Sequence, residues 1–325
     1  MNNEKVTLVG LSYGREQEYK RLIFAVLSFK AFYSGIDSNV QLLIFTDNSA
    51  YFEHFLTGIL VKYVLLTPAK IELMKGPQKF VHLVKVEVIR EAFELYPNNN
   101  LVYIDSDTFF IKDPLPLFGM ISAENSLMHT KEYALTERIG STSEGNSPQL
   151  FLSALKNRTF STSQGEERYF PSQYSWNAGV IGLAKEGKGY IDDIYKLSGE
   201  FFSCSLWHIS EQLAFSLLLQ TRTTIYPCEK YIYHYWASDK KIVIDTFLSK
   251  KLDRAFTELD LQEKIINIAK MSSAMLLREL AMDTLAKGNM FVAYKYAAMY
   301  LSKAGFDIKF LRDVIYRTRN LGYFS

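Results

Sequence analysis
Short apolar runs alternate with stretches of helical spacing along the first third of this chain. Val6-Thr7-Leu8-Val9-Gly10-Leu11 reads as a buried strand that ends near Gly14. From Glu16 to Tyr33 the apolar residues Leu22, Ile23, Val26, Leu27 and Phe29 recur at helical spacing, and Gly35 closes the stretch. Val40 to Thr46 is a second strand stopped by Asp47-Asn48, and Val61 to Leu66 a third stopped by Thr67-Pro68. A long helical pattern from about Gln78 to Tyr96 ends at Pro97-Asn98-Asn99-Asn100, and Leu101-Val102-Tyr103-Ile104 follows as a fourth strand. Strands separated by helical stretches predict an α/β fold, a mostly parallel sheet covered on both faces.

The alternation then weakens. Residues from about Lys131 to Gln173 are rich in Ser, Thr, Glu, Gly and Asn and predict a long irregular excursion, with a short helix around Gln149 to Lys156. Trp176 to Ala184 reads as a strand, Gly189 to Phe202 and Ser210 to Gln220 as helices, and Thr223 to Trp236 as extended. Beyond about Thr246 the pattern is helical only, over Leu261 to Ala286, Met290 to Ala304 and Asp307 to Thr318, with Gly288 and Gly305 as breaks. Phe291 to Leu301 and Ile308 to Ile315 resemble a tetratricopeptide hairpin, though such a pair does not make a repeat array. The expected division is residues 1–245 and a helical region 246–325.

A chain of 325 residues accommodates a domain plus an appendage, or two domains. The net charge of +2 gives no nucleic-acid footprint. Cys204 and Cys228 have no metal-type spacing and read as reduced core residues. The start has no apolar signal stretch, and nowhere do about 18 apolar residues run together. The expectation is a bacterial cytoplasmic protein. Basic residues beside aromatics near the end, from Arg312 to Arg319, also allow peripheral contact with the inner face of the membrane, against the plainer reading of a solvated helix face.

Candidate chemistry sits at the end of the fourth strand. In open α/β sheets ligands bind beyond the carboxyl ends of the strands, and this strand delivers Asp105-Ser106-Asp107 there. Two carboxylates one residue apart point to one face of a continuing strand and make a hard oxygen site for Mg2+ or Mn2+. The spacing alone is common, and solvated turn carboxylates are its plain alternative.

The context carries a resemblance. Tyr103-Ile104-Asp105-Ser106-Asp107-Thr108, followed by Ile111 to Phe118, resembles the aspartate–any–aspartate segment of GT-A glycosyltransferases, and looks closest to family 8. Trp176-Asn177-Ala178-Gly179-Val180-Ile181 resembles the family's asparagine–alanine–glycine strand, and Glu211-Gln212 its aspartate–glutamine pair with Glu for Asp. His234 and Lys240 match the spacing of its late histidine and lysine, but the glycine and proline–tryptophan of that motif are missing. The resemblance spans roughly residues 5 to 245. It implies a nucleotide-diphospho-sugar transferase fold, with a mixed sheet, flanking helices and transfer of a hexose from a UDP-sugar to a saccharide or lipid-linked acceptor with retention.

By the same resemblance, Asp105, Asp107 and His234 hold the metal, Mn2+ or Mg2+. Lys240 neutralises the diphosphate, Lys85 and Asp105 reach the donor, and Leu11 and Tyr13 hold the base. Asn177, Glu211 and Gln212 line the transferred sugar. His54, His82, His129 and His208 have no partner pattern. Two alternatives stay open. Ile104 to Thr108 also resembles the nucleophile segment of haloacid-dehalogenase phosphatases, which need a late acidic pair such as Asp192-Asp193. A non-catalytic sugar-nucleotide-binding scaffold with a partner-recruiting tail is the other.

Overall fold
The computed structural model describes residues 5–139, 145–305 and 307–320. Residues 1–4, on which the expectation about the chain's start rests, and residues 140–144 of the polar excursion lie outside the described residues. Four strands run parallel in the order β3-β2-β1-β4, with β1 Val6–Ser12, β2 Val40–Thr46, β3 Val61–Leu65 and β4 Asn100–Ile104. Beyond β4 the strand Val180–Leu183 enters antiparallel, Asn125–Met128 pairs antiparallel with it, and Thr224–Pro227 closes the seven-stranded sheet. The mixed sheet with flanking helices is therefore as the resemblance implies, while the parallel half, β3-β2-β1-β4, is what the apolar runs predict.

All five residues of β4 are buried, as are most of β1, because helices cover both faces. The helix Glu16–Phe32 lies on one face, where its Leu22, Ile23 and Val26 share a core with Leu8 and Ile104. Glu16 and Glu18 in its first turn and Lys30 in its last match the helix dipole. Leu83–Leu95 lies on the opposite face, its Val86 and Ile89 sharing a core with Val9 and Tyr103.

Several elements differ from the sequence reading. The helix expected from Gln78 begins only at Leu83, after a turn with Lys79 at a positive φ of 54°. The strand expected over Trp176 to Ala184 is two strands, Tyr174–Trp176 and Val180–Leu183. Between them the Asn177 side chain accepts from the Gly179 amide at 3.0 Å, a local bond that breaks the ladder. The extended stretch Thr223 to Trp236 likewise divides into Thr224–Pro227 and Ile232–His234. Pro227 closes the first of these, since it has no amide for a further rung. The excursion holds the strand Lys131–Ala134, the helix Ser147–Asn157 and the hairpin Phe160–Thr162 with Gly165–Glu167.

The helix Ser238–Lys251 runs without a break across residue 246. Leu261–Ala286, Met290–Ala304 and Ile308–Asn320 follow. Asp260 caps the first in a reciprocal box with Glu263. The tail does not stand apart, because Ile268, Met271 and Met275 belong to the same core as Leu22 and Phe109. No helix among the described residues is long and apolar enough to cross a membrane.

One ion-pair strut ties these layers together. Arg21, only 6% exposed, donates through Nε and Nη2 to both oxygens of Asp245 at 2.7 and 2.5 Å, and through Nη1 to Glu18 at 2.7 Å. Replacing Arg21 by Met strands Asp245 and leaves Glu18 with Arg15, at 3.0 Å, as its remaining cation. The expected loss is about 3 kcal/mol in unfolding free energy, measured by urea denaturation.

Candidate active site
β4 ends at Ile104, and the next backbone bond, Asp105 amide to Gly179 carbonyl at 2.8 Å, is the last contact with the neighbouring strand. The chain then turns through Ser106 and Asp107. The two aspartates thus sit on a turn, and alternation along a strand does not align them. Ser106 donates to Glu18 Oε2 at 2.9 Å, Tyr103 to Asp105 Oδ1 at 2.9 Å, and Thr108 Oγ1 to the Asp105 carbonyl at 2.8 Å.

What brings the histidine in is a two-stranded ribbon. Thr108–Phe110 pairs antiparallel with Ile232–His234, so that Thr108 stands opposite His234, and the Tyr235 amide donates to the Asp107 carbonyl at 3.0 Å. His234 Nε2 lies 3.1 Å from Asp107 Oδ1. Ligand atoms of Asp105, Asp107 and His234 all lie within 4.8 Å of one another.

This donor set fits a divalent cation. Its two carboxylates and one imidazole are ligands that Mn2+ and Mg2+ accept. Asn177 Oδ1 lies 2.8 Å from His234 Nδ1, which fixes the proton there and turns Nε2 toward the acids. Gly179 supplies the space, since a Cβ at that position meets His234 Nδ1 at 2.2 Å. The asparagine–alanine–glycine segment therefore has a physical meaning here, as a holder and a clearance for one imidazole ring.

Asp107 is 5% exposed. Burial alone raises its carboxyl, but His234 and the Lys241 ammonium outweigh that and hold it well below the usual carboxylate range. Lys241 Nζ lies 2.6 Å from Asp107 Oδ2. Lys240, the lysine expected from the resemblance, points elsewhere, to Tyr233 Oη at 2.9 Å, Glu279 at 3.3 Å and Asp283 at 3.3 Å. The helix Ser238–Lys251 explains the exchange. Neighbouring residues on a helix face directions about 100° apart, so only one of this pair can look into the site.

Lys85 bridges two acids, with Asp105 Oδ1 at 3.3 Å and Glu211 Oε1 at 3.4 Å. Burial works against its charge, but Asp105 and Glu211 outweigh it and hold Lys85 above its ordinary value. Glu211, 3% exposed, is pushed up to about 7 by burial, with Lys85 opposing and Asp105 reinforcing.

Gln212 is held on both ends of its amide. Its Nε2 donates to Glu132 Oε2 and Ser175 Oγ, each at 2.9 Å, and its Oε1 accepts from the Ala178 amide at 3.3 Å. Asn177 Nδ2 donates to the other Glu132 oxygen at 3.2 Å. Leu11, Tyr13, Lys85, Asp105, Asp107 and Lys241 line a hollow of about 430 Å³ beyond the strand ends. A larger hollow lies by Lys30 and Tyr96, but it lacks this concentration of acids and cations.

Asp105, Asp107, His234, Asn177, Lys85, Glu211 and Gln212 thus form one connected polar array, and Lys240 is turned away. Sequence reasoning missed Lys241 and Glu132. Lys241 was signalled only by the helical phase after Ala237. Glu132 lies on a short strand inside a polar excursion and carries no local signal. His129, assigned nothing from sequence, packs edge-on against His234 with ring centres 5.3 Å apart.

No protein-family model and no curated protein matches the chain. Among solved structures, the chain is similar to the galactosyltransferase LgtC in complex with donor and acceptor sugar analogs, at 14% identity over 81% of this chain and 95% of that one, TM-score 0.45. It is similar to the glycosyltransferase GlyE of Streptococcus pneumoniae TIGR4, at 12% identity over 81% of this chain and 62% of that one, TM-score 0.47. Mouse xyloside xylosyltransferase 1 matches at 12% identity over 69% and 85%, TM-score 0.45.

Two outcomes follow from this geometry. Gly179→Ala drives a methyl into the His234 ring. It is expected to cost about 2 kcal/mol of stability by calorimetry, as an overpacked core does. Glu211 binds its proton more tightly folded than unfolded. Its contribution to stability is therefore lost as pH rises from 4.5 through about 7, and the stability difference between wild type and Glu211→Gln is expected to shrink over that range in denaturant titrations.

Proposed function
We propose that this chain is a glycosyltransferase. It moves a hexose from a nucleotide diphosphate sugar, read as a UDP-sugar, to a saccharide or glycolipid acceptor. The reaction uses Mn2+ or Mg2+ and retains the anomeric configuration. The observation that carries this reading is the convergence of Asp105, Asp107 and His234 within 4.8 Å beyond the end of β4, where sheets of this type take their ligands.

In this reading Asp105, Asp107 and His234 hold the divalent ion, which when bound supplies positive charge to the diphosphate oxygens. Lys241, rather than Lys240, faces the same space and adds a second positive charge where negative charge develops on the leaving group. Leu11 and Tyr13 bound the end of the hollow that takes the base. Lys85 reaches the donor from its place against Asp105. Glu211, Gln212 and Asn177 line the transferred sugar. The Gln212 amide is fixed by Glu132, so its orientation costs nothing at the moment of reaction.

The phosphatase alternative needs a late acidic pair near Asp105. Asp192 pairs with Arg90 at 3.1 Å and Asp193 with Arg222 at 2.8 Å, which leaves that reading without support.

With Mn2+ and UDP at a hundred times the dissociation constant, wild type is expected to gain about 2.7 kcal/mol of stability. Asp107→Ala should lose most of that shift, and retention of the full shift counts against the reading. In a UDP-sugar turnover assay, Lys241→Met is expected to lower kcat about a hundredfold. Lys240→Met should have the smaller effect, and the reverse order returns the diphosphate role to Lys240.

A further inference from the structure
A second hollow lies in the helical tail. Its volume is about 320 Å³ and its floor is apolar, formed by Phe247, Phe256, Met271 and Ala274. Three lysines from three different helices stand around it, Lys251 on Ser238–Lys251, Lys270 on Leu261–Ala286 and Lys303 on Met290–Ala304. All three are exposed, and none pairs with an acid among the described residues. The one acid in the lining, Asp253, spends Oδ1 on the Phe256 amide at 3.0 Å as a helix cap. Asn267 adds a polar side chain at the wall.

An apolar floor with a rim of three ammonium groups against one carboxylate is complementary to a molecule with an apolar chain and an anionic head. It does not suit a neutral ligand, for which three like charges serve no purpose. It does not suit a simple anion, for which the apolar floor is idle. We infer that this hollow binds an anionic membrane phospholipid, with acyl chain against Phe247, Phe256 and Met271, and phosphate on Lys251, Lys270 and Lys303.

The site is separate from the basic stretch Arg312 to Arg319 and from the donor hollow. Lys251 lies ten residues beyond Lys241 on one helix, a distance of about 15 Å. The inference does not depend on the transferase reading. If both hold, the tail brings the donor site to the membrane surface where a lipid-linked saccharide lies, with no spanning helix.

The test is flotation of the full chain with phosphatidylcholine vesicles, with and without phosphatidylglycerol. Wild type is expected to float only with the anionic lipid. Replacing all three lysines by Gln should weaken partitioning on the order of a hundredfold. Ala255→Trp fills the hollow from an exposed position and leaves the lysines in place. It should reduce flotation as strongly, and calorimetric binding of dihexanoyl-phosphatidylglycerol should be lost with it. Wild type that fails to float overturns the inference, as does Ala255→Trp floating like wild type, which means surface charge alone. Displacement by millimolar inorganic phosphate overturns it too, since the site is then one for a free anion. Binding of UDP and Mn2+, measured in parallel, is expected to be unchanged in all variants, so failure here and failure of the donor site remain distinguishable.

Discussion

A buried carboxylate has to be matched by positive charge, and Asp107 is the carboxylate on which this structure turns. It sits where a strand has ended and a ribbon has begun, with little access to water. His234 meets one oxygen and Lys241 the other. Neither group is free to choose its place. His234 needs Asn177 for its Nδ1 proton and Gly179 for room, while Lys241 needs the helix Ser238–Lys251 to start in the right phase. Three stretches far apart in sequence, around residues 107, 177–179 and 234–241, are committed to one side chain, and the sheet order is what allows them to meet.

The tail helices belong to the same design. Lys240 is anchored to Glu279 and Asp283 of Leu261–Ala286, next to the lysine that faces Asp107. Arg21 joins the helix Ser238–Lys251, through Asp245, to Glu18, and Glu18 accepts from Ser106 between the two aspartates. The polar links run through an apolar core that the first helix and the tail share. The helices beyond residue 250 therefore bear on the site's geometry through Lys240.

The parallel strands and the two helices that cover them were legible in the sequence, because a fully buried strand leaves a continuous apolar run and an amphipathic helix leaves a period. The aspartate pair was legible because it ends such a run. Less visible was anything set by pairing across long distances. Thr108–Phe110 is three residues long and exists only because Ile232–His234 lies beside it. The break at Asn177 was read as strand, since a side-chain bond to the backbone leaves no mark in hydropathy. The choice between Lys240 and Lys241 depended on a helix phase that begins at a loop. Glu132, which orients Gln212 and Asn177, comes from a stretch whose composition promised only a loop.

The most direct measurement is electron spin-echo spectroscopy of Mn2+ bound with UDP to wild type and to His234→Gln. Nitrogen modulation from a single directly bound imidazole is expected in wild type and its loss in the variant, with the ion still bound through the carboxylates. Modulation that survives in His234→Gln, or none in wild type, would contradict a cation site built from Asp105, Asp107 and His234.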